Sequence, residues 1–396
     1  MTPATKEADN AYRRVITISG TLFLSYLAIA MPVPAIPVYV AHELGLNSAW
    51  AGLAVGISFL STIFTRGYAG NLADRLGGKP CMLRGLLVYT FANLICLISA
   101  YLTLPMPGSY IVLILGRLLV GLGESLALVG MISWGIGLMG PARAGKVLAL
   151  VGMGLYGAFA VGGPLGLVLL HHFGFGGLMG FCIALPLSGF IAARKYPGSA
   201  PHAGKRESFW RIIGRIWCPG ATVGLQGVGF AAIATFISLY FLSRGWSHAG
   251  LGLTCFGVGF VAVRLVFGHL PDKIGGGPVA IASLVVEACG QYLLWLAPNP
   301  LLALLGALLT GLGCSMVYPS MGVEVVKLVP PQLRGTAVGG FAAFQDLAYG
   351  ATGPLTGLLA DHTGYAPVFL VGGIAATLGL GMAVLTHKKL QAATAT

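Results

Sequence analysis

Four ionisable residues lie inside long apolar segments of the chain, namely Arg117, Glu124, Glu287 and Asp346. A charged side chain at the centre of a bilayer costs about 2.5–3.5 kcal/mol on insertion scales, so charges within membrane segments need a partner or water and usually carry function. Removal from water also favours the protonated form of a carboxyl group. Glu124 and Asp346 are therefore candidates for binding and releasing protons.

Arg117 and Glu124 stand seven residues apart, which places both side chains on one face of a helix, about two turns from each other. This distance is too long for a direct salt bridge and favours a connection through water or a bound molecule. Glu124 is thus a candidate proton- or substrate-binding group, with Arg117 as a relay or a tuner of its charge. The alternatives are a structural hydrogen-bonded carboxylate and a packing cation.

The elements that hold these residues are long apolar helices. Hydrophobic residues make up 56% of the 396 residues, charged residues make up 9%, and the mean hydropathy is +0.86. Because about 20 apolar residues span a bilayer as a helix, we predict an all-α polytopic membrane protein. The twelve predicted transmembrane helices are 15–40, 48–69, 81–104, 110–138, 147–170, 175–193, 218–242, 249–270, 279–297, 301–323, 337–360 and 366–386.

The basic residues predict how these helices are oriented. All 23 Lys and Arg residues except Arg117 and Arg244 fall at alternate ends of the predicted helices. Since loops rich in Lys and Arg stay in the cytoplasm, both termini are expected there, in a multi-pass protein surrounded by the lipid of a bacterial inner membrane. The net charge of +12 is spread over short segments without a basic face, so no nucleic-acid partner is expected.

The chain repeats itself after half its length. GNLADRLGGKP from Gly70 aligns without a gap with GHLPDKIGGGP from Gly268, and GLGES from Gly121 returns as GLGCS from Gly311. We therefore predict two six-helix bundles in a pseudo-two-fold parallel repeat. Paired repeats with a substrate site at the membrane midplane are typical of transporters that work by alternating access.

The midpoint of the chain divides the two bundles. The predicted division is an N-terminal bundle 1–193, a cytoplasmic linker 194–217 and a C-terminal bundle 218–396. The linker contains KRESFWRIIGRIW, in which apolar residues recur at helical spacing among basic ones. This pattern favours a helix lying in the cytoplasmic membrane interface; an ordinary solvated linker is the alternative.

The repeated motifs resemble those of the major facilitator superfamily. GNLADRLGGKP is similar to the signature between its helices two and three, RLLVGLGES from Arg117 is similar to its helix-four motif, and GGPLG is similar to the Gly-Pro element of its proton-driven exporters. That element departs from the family pattern after Pro164, where Gly166 replaces the usual glycine pair. Within the superfamily the chain looks most similar to the twelve-helix drug and metabolite efflux branch, which includes arabinose-efflux-like permeases.

The resemblance implies a role for the repeated turn, which is thought to latch the two bundles on the cytoplasmic side. The acid expected at the inner end of helix four is missing here, whereas Glu324 in the second half could pair with Lys273 or Arg264. Arg75 and Lys79 could engage carboxylates or lipid phosphates, and a simple topological stop is the alternative. The predicted gate residues are Gly70, Asp74, Arg75, Gly77, Lys79, Asp272, Lys273 and Glu324.

The resemblance also implies that helices one, four, seven and ten line the cavity. Glu124 is then expected to meet water, and Glu287, on a peripheral helix, is expected to be structural. Aromatic and Met side chains on the lining helices suit an uncharged or cationic amphipathic ligand, although such residues could instead pack within a bundle. The predicted cavity residues are Tyr26, Met31, Met131, Trp134, Gln226, Phe230, Met316 and Tyr318.

These features predict a monomeric secondary transporter that exports small amphipathic or metabolite compounds in exchange for protons, without a cofactor or metal. Proton-coupled uptake stays open, because no motif records direction. A membrane sensor that transports nothing is a third hypothesis, and it predicts that Glu124→Gln and Asp346→Asn are harmless. An enzyme is not expected, since the sequence contains no nucleotide-binding loop, metal cluster or nucleophile–base set.

Overall fold

The computed structural model contains helices and no strands within the residues it describes, which are 3–101, 107–140, 144–198, 209–247, 249–330 and 334–395. In chain order the helices are α1 (Pro3–Ala30), α2 (Pro32–His42), α3 (Ser48–Leu76), α4 (Gly78–Tyr101), α5 (Gly108–Met139), α6 (Ala144–Ala193), α7 (Phe209–Ser243), α8 (Leu251–Phe267), α9 (Leu270–Ile274), α10 (Gly276–Leu296), α11 (Pro300–Lys327), α12 (Arg334–Thr363) and α13 (Ala366–Ala395). The all-α prediction is confirmed.

Two helix breaks relate these elements to the predicted spans. The first predicted span contains α1 and α2, which are separated at Met31. α2 begins at Pro32, and proline is suited to the first position of a helix. Gly174 divides α6, because its φ of 65° and ψ of −179° are open to glycine but not to residues with a Cβ. The fifth and sixth predicted spans are the two parts of α6.

Within the described ranges, nine helical segments are long and apolar enough to cross a bilayer. One of them is α6, which contributes two spans on either side of Gly174. α8 is shorter, with 17 residues, and is followed by the short α9; α12 has 30 residues. Together these helices account for the twelve predicted spans.

The chain divides into two compact units. One contains Met1–Tyr39 and Ile57–Ala203, and the other contains Val40–Gly56 and Gly204–Thr396. Residues 199–208 of the predicted linker fall outside the described part, and the predicted bounds of the two bundles and the linker stay a prediction. α3 begins in the second unit and continues into the first, a feature that the sequence does not indicate.

The end of the linker leads directly into the seventh predicted span. α7 begins at Phe209 and runs on to Ser243 without a break. Ile212 and Ile216 are fully buried in a core cluster of the second unit, whereas Trp217 is 48% exposed. The location of this segment in the membrane interface stays a prediction.

The internal repeat is visible in the way two helix pairs pack. Gly78, the first residue of α4, lies against the α5 backbone at Trp134, and Gly276, the first residue of α10, lies against α11 at Glu324. A Cβ on either glycine would overlap its neighbour, so the missing side chains allow the close approach. The pairs α4–α5 and α10–α11 are therefore equivalent elements of the two repeats.

Candidate functional site

In the first unit, the predicted ionisable pair of α5 lies in the interior. Glu124 is 4% exposed and Arg117 is 1% exposed. The Tyr26 hydroxyl of α1 donates to Glu124 Oε1 at 3.2 Å, and Arg117 Nη2 donates to Ser58 Oγ of α3 at 2.8 Å. The structure therefore joins the pair to two neighbouring helices, and Tyr26 becomes a direct partner of the carboxyl group.

Tyr89 of α4 is a member of this cluster that the sequence analysis does not identify. Its side chain is fully buried, and its ring interacts electrostatically with Glu124, Tyr26 and Arg117. Its hydroxyl has no hydrogen-bond partner among the described residues. A tyrosine in an apolar span is unremarkable in sequence, so only the alignment of the two repeats could have drawn attention to it.

In the second unit, the polar residues of α12 meet those of α7. Gln345 Nε2 donates to Gln226 Oε1 at 3.4 Å, and the adjacent Asp346 is 6% exposed. One turn further, the ring of Tyr349 lies 4.9 Å from the ring of Phe230 between centroids. Asp346 thus lies next to a buried amide pair and an aromatic pair.

Glu287 belongs to the interior of the second unit. It is fully buried on α10, and its Oε1 would lie 2.6 Å from a Cβ added to Gly229 of α7. The side chain therefore faces the neighbouring helix, although the sequence analysis assigns it a peripheral, structural position. Ser283 and Gln291 lie one turn before and one turn after Glu287, so the sequence does show a short polar stripe on this face of the helix.

The predicted cavity residues have different surroundings. Met31 packs against Gly166 of α6, while Met131 and Met316 are buried. Trp134 Nε1 donates to the carbonyl oxygen of Pro197 at 2.9 Å, which is a structural contact. The Tyr318 ring lies 4.8 Å from that of Phe341. Of the predicted set, Tyr26, Gln226 and Phe230 lie nearest to the ionisable groups, and their contact with substrate stays a prediction.

The repeated glycine motif forms a tight helix–helix turn in both halves. α3 ends at Leu76 and α4 begins at Gly78, with Gly77 between them at a φ of 91°; Gly275 has a φ of 88° in the equivalent turn. This left-handed conformation is one that glycine adopts without strain. The Gly-Gly pair is thus written twice because both turns require the same backbone geometry.

The charged residues of the first turn point in different directions. Asp74 and Arg75 are exposed in the last turn of α3, and Gly70 is half-buried. Lys79 Nζ donates to the carbonyl oxygens of Arg194 at 3.0 Å and Tyr196 at 2.6 Å. Lys79 therefore binds carbonyl groups at the end of α6, a favourable position for a cation, instead of the carboxylate or phosphate that we predicted.

Glu324 has partners other than the predicted Lys273 or Arg264. Its Oε1 accepts hydrogen bonds from the backbone N–H groups of Gly276 at 2.7 Å and Gly277 at 3.3 Å, and its Oε2 lies 2.9 Å from Lys327 Nζ. The carboxylate thus caps the N-terminus of α10, where donors without helical partners favour an anion. Lys273 is exposed, and the side chain of Asp272 lies outside the described residues.

We expect Glu324→Ala to destabilise the protein by about 0.5–2 kcal/mol, because it removes a buried cap from α10. Lys327→Ala is the matched control: its side chain is 51% exposed, and exposed ion pairs contribute about 0–1 kcal/mol. Thermal unfolding of the purified protein in detergent measures both. Equal losses of Tm would contradict the cap and favour the ion pair.

A second carboxylate caps α3, and the sequence analysis does not identify it. Asp361 at the end of α12 accepts from the backbone N–H groups of Ser48 at 2.8 Å and Ala49 at 3.2 Å. The Ser48 hydroxyl also lies 3.0 Å from that of Tyr365. Because Asp361 is 313 residues from Ser48 in the chain, only the tertiary structure shows this contact.

Replacing Asp361 with Ala is expected to increase hydrogen exchange at the Ser48 and Ala49 amides by up to about 30-fold, since a cap stabilises a helix end by about 0.5–2 kcal/mol. Asn47→Ala is the comparison, because the Asn47 side chain accepts from Trp50 N instead. Exchange by mass spectrometry at peptide resolution reports both. Unchanged exchange at Ser48 and Ala49 in Asp361→Ala would refute this role.

Comparison with known proteins identifies the family. The model of the Major Facilitator Superfamily matches residues 18–252 and 220–394. A protein of Salmonella typhimurium described as an uncharacterized MFS-type transporter is 43% identical over 91% of this chain and 93% of its own length. A protein of Burkholderia pseudomallei with the same description is 38% identical over 98% of this chain and 95% of its own length.

Solved structures agree on the fold. A D-xylose-proton symporter matches with a TM-score of 0.76 at 16% identity, covering 94% of this chain and 96% of its own. The nucleoside transporter NupG matches with a TM-score of 0.75 at 14% identity, and the match covers 94% of this chain and 99% of NupG. Identities this low support the fold alone. On the family model and the close relatives, this chain belongs to the Major Facilitator Superfamily of membrane transporters.

Proposed function

We propose that this transporter couples the export of small amphipathic or metabolite-like compounds to the entry of protons, as in the efflux branch that its motifs resemble. The observation that carries the proposal is the buried Glu124, with the Tyr26 hydroxyl on one oxygen and Arg117 on the same helix. In this proposal both termini face the cytoplasm and the protein acts as a monomer in a bacterial inner membrane.

Glu124 has the surroundings of a group that changes its protonation state. Burial favours the neutral acid, whereas the hydrogen bond from Tyr26 and the positive charge of Arg117 favour the carboxylate. Because these influences oppose each other, the entry of water is enough to change which form is favoured. Glu124 would then bind a proton on one side of the membrane and release it on the other.

The second unit supplies surroundings that suit the substrate. Phe230 lies 5.5 Å from Phe256 and 4.9 Å from Tyr349 between ring centroids, next to Gln226 and Asp346. Aromatic faces attract apolar and cationic groups, and the amides and the carboxyl group supply a few polar contacts. This combination supports an amphipathic ligand that is neutral or positively charged.

A growth-inhibition panel in an efflux-deficient bacterium tests the proposal. The strains carry the wild-type chain, Glu124→Gln at equal expression, or an empty vector, each with and without a protonophore. Export predicts that wild type protects against at least one compound and that both the substitution and the protonophore remove protection. Sensitisation by wild type would indicate proton-coupled uptake, and identical growth of all strains would contradict export of drug-like compounds.

A further inference from the structure

Glu287 occupies a position in the second repeat that corresponds to a member of the Glu124 cluster in the first. In the first repeat Gly123 of α5 packs against Tyr89 of α4. In the second, Gly313 of α11 packs against Glu287 of α10. The residues that follow these glycines are Glu124 and Cys314. In the first repeat Tyr89 therefore faces Glu124, and at the equivalent positions of the second repeat Glu287 faces Cys314.

The exchange leaves one carboxyl group at this level of each equivalent helix pair, in addition to Glu324 at the end of α11, which caps α10. In the first repeat the acid, Glu124, lies on α5, the second helix of the pair. In the second repeat the acid, Glu287, lies on α10, the first helix of the pair. Both acids are buried, at 4% and 0% exposure for Glu124 and Glu287. The symmetry of the fold thus places Glu287 at the position of Tyr89, next to Cys314 at the position of Glu124.

The surroundings of Glu287 hold the carboxyl group without a strong partner. Neither oxygen makes a hydrogen bond of ordinary geometry with a described residue. The polar neighbour in reach is the Cys314 thiol, a weak donor. Gln291, one turn away, does not compensate: its Nε2 donates to the Gly229 carbonyl oxygen at 3.1 Å, and neither Glu287 oxygen has a hydrogen-bond partner among the described residues.

Among the described residues, the groups that face Glu287 from the neighbouring helices supply no positive charge. α7 presents Gly229, α11 presents Cys314, and Asp346 and Tyr349 of α12 belong to the same electrostatic cluster through Tyr349. α13 meets this face of α10 at Gly372, which lies against Gln291. Since burying an ionised carboxylate without a partner is far costlier than burying the neutral acid, this arrangement retains a proton on Glu287.

We propose that Glu287 is a second proton-binding site of the transporter, the counterpart of Glu124 in the second repeat. The inference rests on the proposed proton coupling and deepens it, because it adds a second acid to the coupling machinery. A proton from water binds a carboxylate oxygen of Glu287 and forms an O–H bond; when water reaches the site, that bond breaks and the proton returns to water. Gly229 leaves the space that this carboxyl group occupies.

Infrared difference spectroscopy of the purified full-length protein in liposomes tests this directly, with a change of pH as the probe. The carbonyl stretch of a protonated carboxylic acid is separate from that of a carboxylate. We expect the bands that wild type loses as the pH rises to include one that is missing from Glu287→Gln and another that is missing from Glu124→Gln. Glu287→Gln keeps the shape of the neutral acid, and size-exclusion chromatography shows whether it is folded.

Cys314→Ser provides a second variant that preserves the acid. A hydroxyl donates more strongly than a thiol, so this change is expected to shift the frequency of the Glu287 band and leave the Glu124 band in place. Identical spectra for wild type and Glu287→Gln would overturn the proposal. A Glu287 band that persists at every pH at which the protein stays folded would also overturn it, since that acid would be permanently neutral.

The test separates this inference from the proposed function. Because the infrared bands need no substrate, a titrating Glu287 band together with a negative growth panel would contradict the export of drug-like compounds but retain the proton site. Protection that depends on Glu124 together with an absent Glu287 band would retain proton-coupled export and reject the second site.

Discussion

Glu124→Gln is expected to abolish the proton-driven concentration gradient of the substrate while leaving its exchange across the membrane in place. A Gln side chain keeps the size of Glu and a hydrogen-bonding oxygen for Tyr26 but cannot carry a proton. One proton crossing about 150 mV releases about 3.5 kcal/mol, which supports a gradient of a neutral substrate on the order of 300-fold. Without coupling the gradient falls to about 1.

Everted membrane vesicles, with a compound found in the growth panel added outside, measure this effect. Substrate accumulation on energisation reports coupling, and exchange of labelled for unlabelled substrate reports binding and movement. Glu43→Gln is the matched control, because it removes the same charge from an exposed turn between α2 and α3. Accumulation in Glu124→Gln at the wild-type level would show that Glu124 does not couple transport.

Tyr26→Phe refines the same prediction. It removes the hydroxyl that donates to Glu124 at 3.2 Å, and one hydrogen bond contributes about 0.5–1.5 kcal/mol net. We therefore expect accumulation to fall but not to vanish. A complete loss on Tyr26→Phe would mean that the hydroxyl takes part in proton movement itself.

Gly52→Ala is expected to have the largest effect on stability, with a loss of about 1–3 kcal/mol or more. A Cβ on Gly52 of α3 would overlap the backbone of Gly353 on α12, and one on Gly56 would overlap Gly350 one turn later. A backbone cannot rotate out of the way as a side chain can. The added methyl group must therefore push the two helices apart along the segment that Asp361 caps.

Gly67→Ala on the same helix is the control, because a Cβ there would have no atom within 4 Å. In a helix interior, alanine is favoured over glycine by about 0.5–1 kcal/mol, so this variant is expected to be as stable as wild type or slightly more so. Thermal unfolding in detergent compares the two. Similar Tm values for Gly52→Ala and Gly67→Ala would show that the helices yield without cost.

The helices, their number and the internal repeat are predictable from the sequence, because each depends on local chemistry. A run of about 20 apolar residues must form its own backbone hydrogen bonds in lipid, and this sets the spans. The repeated turn depends on Gly77 and Gly275, whose positive φ is a property of glycine. The family also follows from these motifs, and comparison with relatives confirms it.

The candidate site is predictable only in part. Glu124 and Arg117 stand out in sequence because a charge in an apolar span is costly. Tyr26 is predicted as a cavity residue but not as a partner of Glu124, and Ser58 and Tyr89 do not stand out, since hydroxyl groups are tolerated on any face of a membrane helix. Which of these hydroxyls meets Glu124 depends on how α1, α3 and α4 pack around α5.

Contacts between side chains and helix ends that are far apart in the sequence are visible only in the tertiary structure. Glu324 caps α10 instead of pairing with Lys273 or Arg264, and Asp361 caps α3 from the far end of the chain. Glu287 shares a polar stripe with Ser283 and Gln291, but only the packing shows that this face of α10 meets α7. The physical reason is that lipid and the protein interior are equally apolar, so hydropathy determines that a helix lies in the membrane but not which of its faces meets another helix.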